Sequence, residues 1–340
     1  MGLARKWSSW GIRLAVGLVI LYYLFRIIPF SEVVAAMSAA DGAWITLAYL
    51  LLAPERFTAA LRNKILIDRV GMSLSVWRIW EINTAASFYS TFLPGDLAGG
   101  AVRWYKMSRP DGQRAQAFAA LTFDRLIDTV ALGVVGLVFW WIDQPRVTPI
   151  AVGLVLAGFS LALLLAIGLS VSRTSAAIML GLLRHERFPR FAGFIRDKLR
   201  KVLESVQAFR DLTPGLVGVL AGLTLVRHLL SLAILYCFAL SLKMDVAVAS
   251  LGWIRSMMNF VTMLPISFSG LGIREGSLVV MLEPYGVPGA QALALSFMMF
   301  VMHLFIAAAG GALEAGSLMG LRRRPHTPTP PGPRGEDARV

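Results

Sequence analysis

The chain has 340 residues, of which 56% are hydrophobic and 16% charged, and its mean hydropathy is +0.66. Ordinary soluble domains carry about a quarter charged residues, so a water-soluble globular fold is excluded, and about six to nine spans of roughly 20 residues fit the length. Lys and Arg outnumber Asp and Glu by 33 to 20. Apolar runs divide this basic excess into short loops, which reads as topology signal and contact with anionic lipid rather than a nucleic-acid surface.

In chain order, the basic N-terminus (Arg5, Lys6, Arg13) leads into an apolar run resembling a signal peptide, with Ala36 and Ser38 as a candidate cleavage site. The run is longer than a typical h-region and reads as a retained signal anchor. Six stretches are long and apolar enough to span: about 12–28, 43–61, 117–142, 148–171, 214–242 and 289–321. Two more, about 74–93 and 246–264, run into Pro/Gly-rich turns followed by an arginine.

The positive-inside bias decides how these two behave. If both re-enter on the side they came from, the N-terminus, 62–78, 103–114, 173–210 and Arg322 to Arg324 all face the cytoplasm. A single crossing by the first would turn segment 173–210, with its nine basic residues, outward. The expected fold is therefore all-α and polytopic, with about six spanning helices plus two re-entrant helical hairpins and both termini cytoplasmic in the cell's inner membrane. The expected transmembrane domain covers 1–321, in halves of about 10–142 and 148–321.

Within segment 173–213, Phe191, Ile195, Leu199, Val202, Val206 and Phe209 recur at helical spacing, with Arg196, Lys198, Arg200 and Lys201 between them. Such a basic amphipathic helix suits an anionic leaflet, or packs against other cytoplasmic loops. The Arg- and Pro-rich tail, 322–340, cannot build a core and is expected to be disordered.

The two interrupted segments match one another. Thr91, Leu93, Pro94, Gly99 and Arg103 recur at identical spacing as Thr262, Leu264, Pro265, Gly270 and Arg274, and Arg56 corresponds to Arg227 at the same offset. The charge-derived topology gives the halves opposite orientation, so an inverted repeat is expected, with a substrate site at the repeat interface. Pro94 and Pro265 each stop an incoming helix. Gly99 and Gly100 in one segment, and Gly270 and Gly272 in the other, allow close backbone approach. Arg103 and Arg274 then add guanidinium donors to free N–H groups at a helix start, an arrangement suited to phosphate, with Ser267 and Ser269 as further hydroxyl donors.

Asp124 and Asp128 share a face of the third span, with Arg125 alongside. Ionisable groups at mid-span cost about 2.5–3.5 kcal/mol or more each, so they line a cavity or form ion pairs. These acids are expected to hold Arg103 or Arg274, or to form a structural pair near the cytoplasmic end. Glu55 with Arg56, and Arg227 with His228, are further polar pairs in apolar runs, Arg227 being the deeper. Glu275 is placed to pair with an arginine of the other repeat. Cys237 is the single cysteine, so no intrachain disulfide forms. No Cys/His spacing suits a metal and no Walker pattern suits a nucleotide, so no metal or other cofactor is expected.

Three motifs resemble the flippase-like family of the lysylphosphatidylglycerol synthase transmembrane region. They are Pro94 with Gly99, Gly100 and Arg103; Arg125 with Asp128; and the run from Pro265 through Ser267, Gly270 and Gly272 to Arg274 and Glu275. The resemblance spans roughly 10–320 and implies movement of a phospholipid, or a polyprenyl-type or other polar lipid, between leaflets. Family members often carry an acid after the first Gly pair, where this chain has Ala101; Asp96 is the nearest substitute. No aminoacyl-transferase domain is present, so enzyme activity is not expected. Two other functions stay open: an integral-membrane transferase or hydrolase acting on a lipid phosphate, and a non-transporting partner of a separate lipid-modifying enzyme.

Overall fold

In the computed structural model the described residues are 2–92, 97–108, 113–143, 153–158, 160–161, 208–263 and 270–319. Their regular elements are all helical. α1 (Gly2–Ile27) is followed by α2 (Phe30–Ser38), and the apolar part of α1 meets α2 at 82°. Pro29 makes this elbow, because the residue before a proline is driven out of the helical region. Eight further α-helices among the described residues form two series of nearly equal lengths. α3 (Gly42–Arg69), α4 (Val76–Phe92), α5 (Leu97–Ser108) and α6 (Arg114–Asp143) have 28, 17, 12 and 30 residues. α7 (Pro214–Ser241), α8 (Val248–Met263), α9 (Ile273–Leu282) and α10 (Gly289–Leu318) have 28, 16, 10 and 30.

α3 and α7 start from matching local chemistry. Asp41 caps α3 by accepting from Ala43 N at 2.8 Å, and Thr213 caps α7 by accepting from Leu216 N at 3.4 Å ahead of Pro214. An oxygen side chain at this position satisfies a helix N–H that has no carbonyl partner. The two helices lie side by side in opposite directions. Asp41 N donates to Ser241 O at 2.9 Å near one end, and Arg69 donates to Asp211 O at 2.6 Å near the other. Around this pair, α4 packs on α10 and α8 packs on α6, so each short helix leans on the last helix of the other series.

The apolar surface is divided accordingly. Trp253, Phe238, Leu278 and Leu293 belong to one buried cluster, built mainly on α7 to α10. Ile79, Ile82, Met107 and Phe123 belong to another, under α4 and α6, where Phe209 stacks on Phe123 with ring centroids 4.3 Å apart. Large apolar side chains also face outward, among them Leu50, Trp141, Val280 and Phe305. A lipid-facing surface has this character.

Among the described residues, three helices are long and apolar enough to cross a membrane: Arg114–Asp143, Pro214–Ser241 and Gly289–Ser317. The bent α1–α2 pair makes a fourth if counted as one span. The expected span at 43–61 differs from the structure in extent. α3 continues to Arg69, and Arg62, expected in a cytoplasmic segment, is buried inside it. The helix runs on because Arg62 and Asn63 find polar partners on neighbouring helices and so need no water. Most of the expected span at 148–171, nearly all of the basic segment 173–213 and the tail from 320 lie outside the described residues.

Two acids tie the series together near the ends of α6 and α10. Asp143 accepts from Ser250 Oγ at 2.7 Å and from Trp253 Nε1 at 2.8 Å, both on α8, and from the Tyr285 hydroxyl. Burial, then the hydrogen bond to Asp143, pushes the Tyr285 phenol up to about 12, so it remains a donor throughout the neutral range. Glu314 accepts from the Tyr89 hydroxyl at 3.1 Å on α4 and pairs with Lys106 on α5.

Candidate functional site: an arginine-lined cavity

α5 folds back along α4. A Cβ at Gly99 would overlap Ser90 Oγ and come within 2.9 Å of Ala86 O, so only glycine permits this approach. The contact carries Arg103, one turn further along α5, towards α3 and α6. There Arg103 donates to Asn63 Oδ1 at 2.7 Å and lies 3.7 Å from Asp124 Oδ2.

Asp124 and Asp128 do share a face of α6, and their main partner is Arg62. Its Nε donates to Asp124 Oδ1 at 2.8 Å, and one terminal nitrogen donates to Asp128 Oδ1 at 3.0 Å and Thr224 Oγ1 at 3.1 Å. Arg227 on α7 also pairs with Asp128 and donates to Glu55 Oε1 at 3.1 Å. His228 Nε2 lies 3.3 Å from the Asp128 carbonyl oxygen. Arg255, in the middle of α8, donates from Nε to Ser231 Oγ at 3.1 Å, and another nitrogen lies 3.4 Å from His228 Nδ1. Ion pairs formed away from water recover their desolvation cost only with good geometry and satisfied donors. Arg62 meets this condition. Arg103 does not: its Nε is buried without a hydrogen-bond partner among the described residues, as is the Nε of Arg56.

These groups line a cavity of about 1990 Å³. It extends from Arg69, Gly71 and Arg114, beside the ends of α3 and α6, to Arg255, Asn259, Thr262 and Met263 along α8. Eight of its lining residues are arginines (56, 62, 69, 103, 114, 125, 227 and 255) and three are acids (Glu55, Asp124 and Asp128). The field inside is therefore strongly positive, and such a field concentrates anions.

The residues anticipated from sequence divide into three groups. Gly99, Gly100, Arg103, Asp124, Arg125, Asp128 and Arg227 all line the cavity, with Arg125 exposed. Arg274, Glu275, Gly270 and Gly272 are not part of that lining. Arg274 donates to Glu275 Oε1 at 2.6 Å and to Ser296 Oγ at 3.0 Å, and stands over the Phe300 ring. Glu275 pairs with its own neighbour rather than an arginine of the other series, and also accepts from Gly272 N at 2.7 Å. The expected meeting of Arg103 with Arg274 at one centre does not occur, because this carboxylate and the Ser296 hydroxyl hold the Arg274 guanidinium against α10. Pro94, Pro265, Ser267 and Ser269 lie outside the described residues.

The sequence reading did not single out Arg62, Asn63, Arg255 and Asn259 as site residues. A signal was present for each pair. Arg62 lies seven residues after Glu55, two turns along one helix face, and Arg255 and Asn259 are four apart in an otherwise apolar run.

No curated protein gives a significant match to the chain. The family model of the lysylphosphatidylglycerol synthase transmembrane region matches residues 10–311. With nearly the whole helical region covered, the chain belongs to this family, which ties it to a lipid-related function in a membrane.

Proposed function

We propose that this protein moves an anionic lipid between the leaflets of the cell's inner membrane. The headgroup passes through the arginine-lined cavity while the tails stay in the bilayer. The observation that carries this reading is the cavity itself: about 1990 Å³ of strongly basic space between helices whose outer faces are apolar. Arg103, Gly99 and Gly100 on α5 and Arg255 on α8 are its headgroup contacts. Arg62, Asp124, Asp128 and Arg227 hold the walls in register. Arg274 and Glu275 fix the turn into α9 instead of touching the cargo.

The architecture in this reading is an inverted repeat, α3 to α6 followed by α7 to α10, with α4–α5 and α8–α9 as re-entrant hairpins. It is supported by the motif correspondence, the two matching length series and the reciprocal packing of α4 on α10 and α8 on α6. Repeats of this kind place their site between the halves and expose it alternately to the two sides. Both termini and the cavity end at Arg69 and Arg114 then face the cytoplasm, next to an anionic leaflet. The protein performs no chemistry on its cargo.

The test is reconstitution of the full chain into vesicles containing fluorescent lipids that differ only in headgroup. Anionic lipids are expected to cross faster than phosphatidylcholine, and Arg103→Ala is expected to slow them by about tenfold or more, the equivalent of roughly 1.4 kcal/mol. Transbilayer movement that does not depend on the headgroup would overturn the reading. So would turnover of a lipid to a new product.

A further inference from the structure

The deep part of the cavity does not balance its charges. Arg56, Arg62, Arg103, Arg227 and Arg255 meet there with Glu55, Asp124 and Asp128. The three carboxylates are shared among four of the arginines. Asp124 and Asp128 take Arg62, Asp128 and Glu55 take Arg227, and longer approaches of 3.5 and 3.7 Å reach Arg56 and Arg103. Arg255 is buried and has no carboxylate partner among the described residues. Five positive groups against three negative ones leave a surplus of two.

A guanidinium held away from water is stable only when a counter-charge and hydrogen-bond acceptors reach it. A zwitterionic headgroup adds no net charge, and a monoanionic phosphodiester such as phosphatidylglycerol removes one unit of the surplus. A phosphate monoester carries close to two negative charges near neutral pH and presents three acceptor oxygens. Its planar O–P–O edges suit the guanidinium fork. The buried Nε donors of Arg56 and Arg103, which make no hydrogen bond among the described residues, are the kind of group that such oxygens satisfy.

We infer that the cavity takes a dianionic phosphate monoester in preference to a phosphodiester, and that Arg255 sets this preference. The inference rests on reading the cavity as a headgroup site. It adds the charge class of the cargo, and it assigns a selective role to a residue whose guanidinium, among the described residues, meets only Ser231 and His228.

The experiment uses the full chain in phosphatidylcholine nanodiscs, titrated with short-chain phosphatidic acid, phosphatidylglycerol of the same chain length, inorganic phosphate and pyrophosphate. Phosphatidic acid is expected to bind about tenfold tighter than phosphatidylglycerol. Arg255→Gln should weaken both lipids but phosphatidic acid the more, so that the ratio falls to about threefold or less, and Arg255→Lys should retain most of it. If Arg255→Gln does not fold, the wild-type ratio carries the test. A wild-type ratio within about twofold, or a ratio unmoved by Arg255→Gln, overturns the inference. Competition by free phosphate or pyrophosphate as strong as that of phosphatidic acid upholds the dianion site but counts against a lipid cargo. Equal binding and equal movement of both lipids sinks this inference and leaves the transport reading intact.

Discussion

Arg62 and Arg103 both reach Asp124, yet they stand in different electrostatic positions. Arg62 spends its donors on two carboxylates and a hydroxyl, at 2.8 to 3.1 Å. Arg103 makes one close bond, to Asn63, and its buried Nε has no hydrogen-bond partner among the described residues. Removing one partner of a buried pair leaves the other charge stranded, at a cost of about 3–5 kcal/mol. Arg62→Ala is therefore expected to lower thermal stability in detergent by several degrees or more. Arg103→Ala should leave the melting temperature nearly unchanged while slowing transport. Equal loss of stability in both variants would show that the distinction drawn here between wall and contact is wrong. At this scale the sequence was readable where polar residues interrupt an apolar helix, as at Asp124, Asp128 and Arg227. It was less readable at Arg62, because a charge at the edge of an apolar run looks like the start of a loop unless its partners are known.

At the scale of elements, the turn into α9 shows what a short motif can encode. Gly270 and Gly272 have φ of +76° and +79°, in the left-handed region that L side chains avoid. Gly272 also faces Gly17 of α1, whose carbonyl oxygen would lie 2.5 Å from an added Cβ. Glu275 closes the turn by accepting from Gly272 N and holds Arg274 at its side. Gly272→Ala should thus destabilise the protein by about 1–3 kcal/mol through backbone strain, with α1 displaced as well. Thermal unfolding of this variant within about 1 °C of wild type would mean that α1 is not seated on this turn. The two glycines and the arginine could be recognised from sequence as a turn with a cation. That α1 is the surface the turn packs against could not, since nothing local records a contact across some 250 residues.

The whole molecule is organised by the α3–α7 pair, with each series leaning on the last helix of the other. Asp143 and Glu314 make this reciprocal: one joins α6 to α8, the other joins α10 to α4 and α5. The topology proposed above can be tested by labelling, since Cys237 is the single cysteine and Cys237→Ser removes it. Ser73 and Glu283 are both exposed and lie beyond α3 and α9. In the Cys237→Ser background, Ser73→Cys is expected to react with an impermeant thiol reagent only from the cytoplasmic side, and Glu283→Cys only from the opposite side. Labelling of both from one side would rule out the inverted arrangement.

Sequence by itself determined the class of solvent, the helical character, the family and the two interrupted segments. Each of these follows from local composition, from spacing or from the backbone limits of Pro and Gly. Tertiary structure decided which arginine is structural and which faces the cavity. Arg103 and Arg274 occupy the same place in their motifs, yet one borders open basic space and the other is held by Glu275 and Ser296. The difference lies in the counter-charge that packing brings to each guanidinium, and a repeating motif leaves that unspecified.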